Sequence, residues 1–263
     1  MIDLVFYLAI GAIACISAGL LGLGGGLVIV PALLFVFKFH GLPADSMMHI
    51  AVGTSLMAIM LTSLSSMLAH HRQQNVDWHL VKNLLVSLLA GGFLGAYCAT
   101  AMSSALLQQV FAIYALLMAI RLWFPISHIA ISESLLSRPY LMVSGTLIGG
   151  VSAVVGMGGG TMIVPYLVLA RQPIQKAIGT SAACAFPIAT AGVVGFYVFA
   201  HNNAQANVPG QFGFINWLAF LGITSTSVIF APLAAKLAKR LPVVRLQQLF
   251  SMILMVVAID MFF

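Results

Sequence analysis

The sequence predicts an all-α, multi-pass membrane protein built from two copies of one unit in inverted topology. Three observations carry this. Charge is scarce: 11 Lys/Arg and 5 Asp/Glu make 6 % of 263 residues, against 62 % hydrophobic. The apolar residues gather into ten segments instead of scattering. And the chain contains itself twice, in the same order. A soluble domain is about a quarter charged, so this chain cannot cover a water-facing surface. A mean hydropathy of +1.10 excludes a disordered chain and a soluble enzyme of ordinary composition. Three cysteines are too few for a secreted disulfide scaffold.

In order, the segments are 4–21, 27–39, 50–69, 80–102, 106–124, 139–155, 161–170, 177–200, 212–235 and 246–263. A helix needs roughly 20 residues to cross hydrocarbon, and most segments meet that length. Segments 27–39 and 161–170 do not, and each follows a glycine cluster. The expected set is therefore about eight long transmembrane helices plus two short or broken half-helices. No alternating polar and apolar strands occur, which excludes a β-barrel. Segment 4–21 lacks a positive leader and a clear cleavage context, so it reads as a retained helix.

Basic residues set the orientation. If all ten segments cross, ten Lys/Arg fall on one side and Lys38 alone on the other. The positive-inside rule then makes the basic side cytoplasmic and places both termini outside. A formal charge of +6 is thus explained by topology. No clustered basic face points to a nucleic-acid partner.

The repeat is specific. Gly22-Leu23-Gly24-Gly25-Gly26, followed by Pro31, returns as Gly156-Met157-Gly158-Gly159-Gly160, followed by Pro165. Gly53-Thr54-Ser55 returns as Gly179-Thr180-Ser181, and Leu107-Gln108-Gln109 as Leu246-Gln247-Gln248. Residues 1–124 and 139–263 are read as the two copies, joined by 125–138. Five segments per copy is an odd number, so the second copy is expected upside down. That is the inverted repeat of secondary transporters, whose sites lie near the midplane at the repeat interface.

A run of glycines weakens a helix by roughly 1 kcal/mol per residue relative to alanine. It marks a break, and the amides that open the next helix form a place for an anion. Pro31 and Pro165 limit the hydrogen bonding further. Gly24, Gly25, Gly26, Gly158, Gly159 and Gly160 are therefore candidate substrate-binding residues. Thr54, Ser55, Thr180 and Ser181 are candidate hydroxyl donors. The competing readings are close helix packing through small residues and hydroxyls bonded to their own helix. No Gly-Lys-Ser/Thr follows either cluster, which excludes a nucleotide-driven pump within this chain.

The remaining polar residues suggest no catalytic set. Cys15, Cys98 and Cys184 sit in apolar segments without ligand spacing and read as small buried hydrophobes. His49, His70, His71 and His79 read as interfacial, with no metal site. Arg121 and Asp260 occupy equivalent positions near helix ends, from which both are expected to snorkel to the interface. No cofactor is expected.

On the two glycine–proline motifs and the two Gly-Thr-Ser motifs, the sequence resembles the TauE/SafE family of membrane permeases, some of which are called sulfite exporters. The resemblance spans both halves. It implies an inner-membrane protein of about eight spans moving small anions such as sulfite, sulfonates or related organic acids. The expected partners are that anion and lipid, with self-association left open. The runner-up reading is an accessory membrane subunit or intramembrane enzyme handling a sulfur species, and a channel comes third.

Overall fold

The computed structural model describes residues 2–21, 25–124, 133–200, 211–238 and 243–262. Among them are ten α-helices, one for each apolar segment. They are α1 (Ile2–Leu21), α2 (Gly26–Phe39), α3 (Ala44–Arg72), α4 (Trp78–Ala101), α5 (Ser104–Trp123), α6 (Arg138–Val155), α7 (Gly160–Leu169), α8 (Ile174–Ala200), α9 (Trp217–Ala238) and α10 (Val243–Phe262). A two-residue hairpin, β1 (Gln211–Phe212) with β2 (Ile215–Asn216), precedes α9. It falls at the edge of an apolar segment that read as wholly helical.

Polar residues cap the starts of several helices, and α4 and α5 begin two residues ahead of their apolar segments for that reason. Asp77 accepts from the amides of His79 and Leu80 at the start of α4. Ser103 accepts from Leu106 at the start of α5, and Asn216 Oδ1 from Ala219 in α9. Each such bond satisfies a donor that the first turn leaves open.

Among the described residues, α3, α4, α5, α6 and α8 are long and apolar enough to cross a membrane. α2 has 14 residues and α7 has 10. At 1.5 Å per residue these reach about 21 and 15 Å, short of a ~30 Å hydrocarbon core. The outward faces are apolar: Val86, Val143, Ile229 and Val256 are each 63 % exposed or more. Cys98 faces outward too, whereas Cys184 is buried and Cys15 donates to the Ser227 carbonyl at 3.1 Å. The expectation of three buried cysteines thus fails at Cys98. In an apolar chain the segment pattern does not separate a lipid-facing position from a core one.

The helices pack through glycines, and the contacts recur at matched positions. In α6, a Cβ on Gly145 would overlap Ser87 Oγ of α4. In α1, a Cβ on Gly11 would overlap Thr226 Oγ1 of α9. Gly11 stands to Gly145 as Gly22 to Gly156, and Ser87 to Thr226 as Leu107 to Leu246. Helices α5 and α10 run antiparallel: Gln108 Nε2 donates to the Met261 carbonyl at 2.9 Å, and Ser251 Oγ to the Ala119 carbonyl at 2.6 Å. The centre of that contact falls near Ala115 and Leu254, both buried and themselves matched in the repeat.

Candidate substrate site at two glycine breaks

Both glycine clusters interrupt helices. α6 ends at Val155 with Gly156 in the left-handed region (φ 76°), and α7 begins after Gly159, also left-handed (φ 76°). Only glycine adopts this conformation without strain. In the first cluster Gly25 caps α2 in ordinary right-handed geometry (φ −64°). Gly24 lies outside the described residues.

The two breaks meet. A Cβ on Gly26 would overlap the Gly156 carbonyl oxygen and stand 2.9 Å from Met157 Cα. Gly158 faces α3 and α8, with Ile59 Cγ2 and Ala185 Cβ each 2.9 Å from where its Cβ would be. Ile59 and Ala185 are matched positions, by the offset that carries Gly53 to Gly179.

The Gly-Thr-Ser motifs hold the two halves together. On α3, Gly53 admits the Phe214 carbonyl, and Thr54 Oγ1 accepts from the Asn216 amide at 2.9 Å. On α8, Gly179 admits the Asn75 carbonyl, and Thr180 Oγ1 accepts from the Asp77 amide at 3.0 Å. Each copy thus receives, on its long third helix, the chain entering the fourth helix of the other copy. Thr54 and Thr180 are buried, and each hydroxyl still has its own proton to give. Ser55 Oγ donates to the Gly156 carbonyl at 2.8 Å, tying α3 to the second break. Ser181 Oγ is buried and has no partner among the described residues.

The second break also gathers polar groups that sequence reasoning missed. Pro165 has no N–H, so the carbonyl of Thr161, four residues earlier, lacks its helical donor. Arg121 Nη1 reaches in from α5 and donates to that carbonyl at 2.8 Å. The Thr161 hydroxyl shares a hydrogen bond with Tyr114 of α5. Ser152 Oγ is buried, unpartnered among the described residues, and 3.4 Å from where a Gly159 Cβ would be. Arg121 was expected to snorkel to the interface, and the open carbonyl instead draws it inward. The signal in the sequence was an arginine in an apolar segment beside a helix with an internal proline. Its counterpart Asp260 does lie at the surface, 4.0 Å from Lys38.

His49 also departs from its expected interfacial place. It is buried, stacks on Phe214 at 5.2 Å, and its Nε2 lies 3.1 Å from the carbonyls of Ala99 and Met102. A groove of about 370 Å³ between α4, α5 and α6 is lined mostly by apolar side chains, such as Leu94, Leu147 and Val151. Its chemistry suits an acyl chain better than an ion.

Comparison with known proteins fits this architecture. The profile of the family described as Sulfite exporter TauE/SafE matches residues 7–261. A probable membrane transporter protein of Haemophilus influenzae is 34 % identical over 97 % of this chain and 96 % of its own length. The probable membrane transporter protein YunE of Bacillus subtilis is 30 % identical over 78 % of this chain and 84 % of its own. One from Methanocaldococcus jannaschii is 32 % identical over 65 % and 64 %. No solved structure matches. A profile match over nearly the whole chain, onto a helical bundle with an apolar exterior, places this protein in the TauE/SafE family of membrane transporters.

Proposed function

We propose that the protein is a secondary transporter or facilitator for small anions, with sulfite, sulfonates and related organic acids as the substrate class. The observation that carries this reading is the meeting of the two breaks at Gly26 and Gly156. There the amino terminus of α2 abuts the end of α6, four residues before α7 opens, and half-helix amino termini inside a bundle offer amides to an anion without a fixed countercharge for each negative charge. Binding through amides replaces hydration yet stays weak enough for release. Gly25, Gly26, Gly158, Gly159 and Gly160 line this region in the proposal, and Thr54, Ser55, Thr180 and Ser181 add hydroxyls.

The matched contacts of the two copies support an inverted repeat, with a two-fold axis in the membrane plane. Antiparallel packing of the equivalent helices α5 and α10 fits such an axis, because an axis along the membrane normal would make them parallel. The Gly53–Thr54 and Gly179–Thr180 clamps are then the two gates, one on each side of the bilayer. Opening one while the other stays shut gives alternating access. The orientation follows the basic residues, with the α3–α4 loop cytoplasmic and both termini outside, in the inner membrane.

Flux into proteoliposomes containing only this chain tests the function. Saturable uptake of radiolabelled sulfite or a sulfonate is expected. No flux of any tested anion would favour the accessory-subunit reading, and non-saturating flux a channel. Cysteine labelling in intact cells tests orientation: Asp45→Cys should react from outside and Gln73→Cys should not.

A further inference from the structure

The two breaks are matched in sequence but not in chemistry, and the difference points to where the ion rests. We propose that the anion is held at one break only, at the amino terminus of α7, with the Ser152 hydroxyl as a donor and Arg121 as the nearby positive charge. This rests on the anion-transport reading above and narrows its site.

Four features of the second break converge. Residues 158–161 precede or open α7, and their amides find no acceptor among the described residues, the first bonds to the Gly159 carbonyl coming from Met162 and Ile163. Left-handed Gly159 takes the chain out of the helical path just ahead of α7. Ser152, on the last turn of α6, is only 2 % exposed, and its Oγ has no partner among the described residues. It stands 3.4 Å from where a Cβ on Gly159 would be, with the flexible tips of Ile188 and Ile163 nearer at 2.6 and 3.1 Å, so its hydroxyl lies beside the break. A buried hydroxyl without a partner is costly unless something fills the place.

Arg121 completes the set. One nitrogen is spent on the Thr161 carbonyl. Because that carbonyl and the Thr161 amide belong to one residue, the guanidinium lies within about 7 Å of the Thr161 amide. Among the described residues no carboxylate pairs with Arg121, the ion pair there being Lys38–Asp260. An arginine has five donors, so its charge is not neutralised by the carbonyl it touches. Tyr114 fixes the first turn of α7 through Thr161.

The matched positions in the first copy carry nothing comparable. Ser152 corresponds to Ala18, Thr161 to Leu27, Tyr114 to Ile253 and Arg121 to Asp260. At these matched positions an anion would find no added hydroxyl and no arginine. The chemistry of the second favours a compact head with three or four oxygens, one for the serine and the others for amides. A carboxylate has too few oxygens to engage both fully.

The test is anion binding to the purified full-length protein in detergent, using radiolabelled sulfite, with 2-hydroxyethanesulfonate and acetate as competitors and melting temperature as the control for folding. Ser152→Ala should weaken sulfite binding about tenfold with little change in melting temperature. Arg121→Gln should weaken it more, with Arg121→Lys recovering part of the loss. Ala18→Ser in the parent should change nothing. The sulfonate should compete well and acetate poorly. If the parent binds and Ser152→Ala binds within twofold of it, the one-break site is wrong while the anion reading stands. If Ser152→Ala does not assemble, Arg121→Gln and Arg121→Lys carry the test, and unchanged binding in both overturns the proposal. If the parent binds none of these anions, the anion reading itself fails and this site falls with it.

Discussion

The first and second glycine breaks are written in nearly the same letters, yet they are built differently. Gly25 opens α2 in right-handed geometry, while its counterpart Gly159 opens α7 in the left-handed region. Pro31 and Pro165 each remove a helical donor, but among the described residues an arginine takes the open carbonyl only at Pro165. Duplicated backbone logic therefore leaves room for unequal chemistry. Glycine and proline fix where a helix must break, and the side chains around the break decide what it does.

The comparison can be broken hardest at the point of contact. Gly26→Ala should abolish the folded protein, because its methyl group would overlap the Gly156 carbonyl, which is backbone and cannot yield. Folded yield by size-exclusion chromatography in detergent checks this. Gly25→Ala should be tolerated, since its Cβ is crowded most by the flexible tip of Ile29, at 3.2 Å, with Ala14 in ordinary contact at 3.7 Å, and the conformation is helical.

Gly159→Ala should be worse than Gly25→Ala by about 2–5 kcal/mol. It adds left-handed strain of about 1–2 kcal/mol to overpacking against Ile188 Cδ1 at 2.6 Å, typically ~1–3 kcal/mol. Denaturation of the two variants side by side reads the difference. Equal stabilities would mean that the two breaks share one backbone geometry after all.

The Gly-Thr clamps should behave alike, because they are alike. Thr54→Val and Thr180→Val each leave one amide, of Asn216 or Asp77, without its acceptor. Each should cost about 1–3 kcal/mol, visible as a lower melting temperature. A large drop for one and none for the other would show that only one clamp bears on stability.

A finer contrast uses the prolines. Pro165→Ala supplies an amide that competes with Arg121 for the Thr161 carbonyl, so Pro165→Ala and Arg121→Gln should be coupled by about 0.5–1.5 kcal/mol in a double-mutant cycle. Pro31→Ala and Asp260→Asn should add without coupling. The smallest effect belongs to Asp260→Asn alone. Its pair with Lys38 is long, at 4.0 Å, and exposed at both ends. Melting temperature should not move measurably.

Much of the bundle was legible in the sequence, because apolar length, glycine runs and capping residues act locally. The ten helices lie on the ten apolar segments, and the breaks lie where glycines interrupt them. What could not be read was which faces look inward. Cys98 and Cys184 lie in equally apolar segments, yet one faces lipid and the other the core. The polar groups of the second break were hidden for a related reason. Ser152, Tyr114 and Arg121 come from two different helices, and only their packing around α7 brings them to one place. His49 looked interfacial because of its place near a helix start, and burial under Phe214 is a property of a hairpin 165 residues away.

The crossed Gly-Thr clamps carry a consequence for how the protein is made. Thr54 receives an amide 162 residues further along the chain, and Thr180 one 103 residues before it. Neither half can complete its own clamp while it is alone in the bilayer. The first half must wait, with a buried-side threonine unmatched, until the hairpin before α9 has left the ribosome. Pairings so distant in sequence form late and slowly. On the proposed inverted topology, a chain of half this length could reach the same state only as a dimer of copies inserted in opposite senses. In the proposed inverted repeat, fusing two such copies would fix one of each orientation in every molecule and free each half to change its side chains without the other.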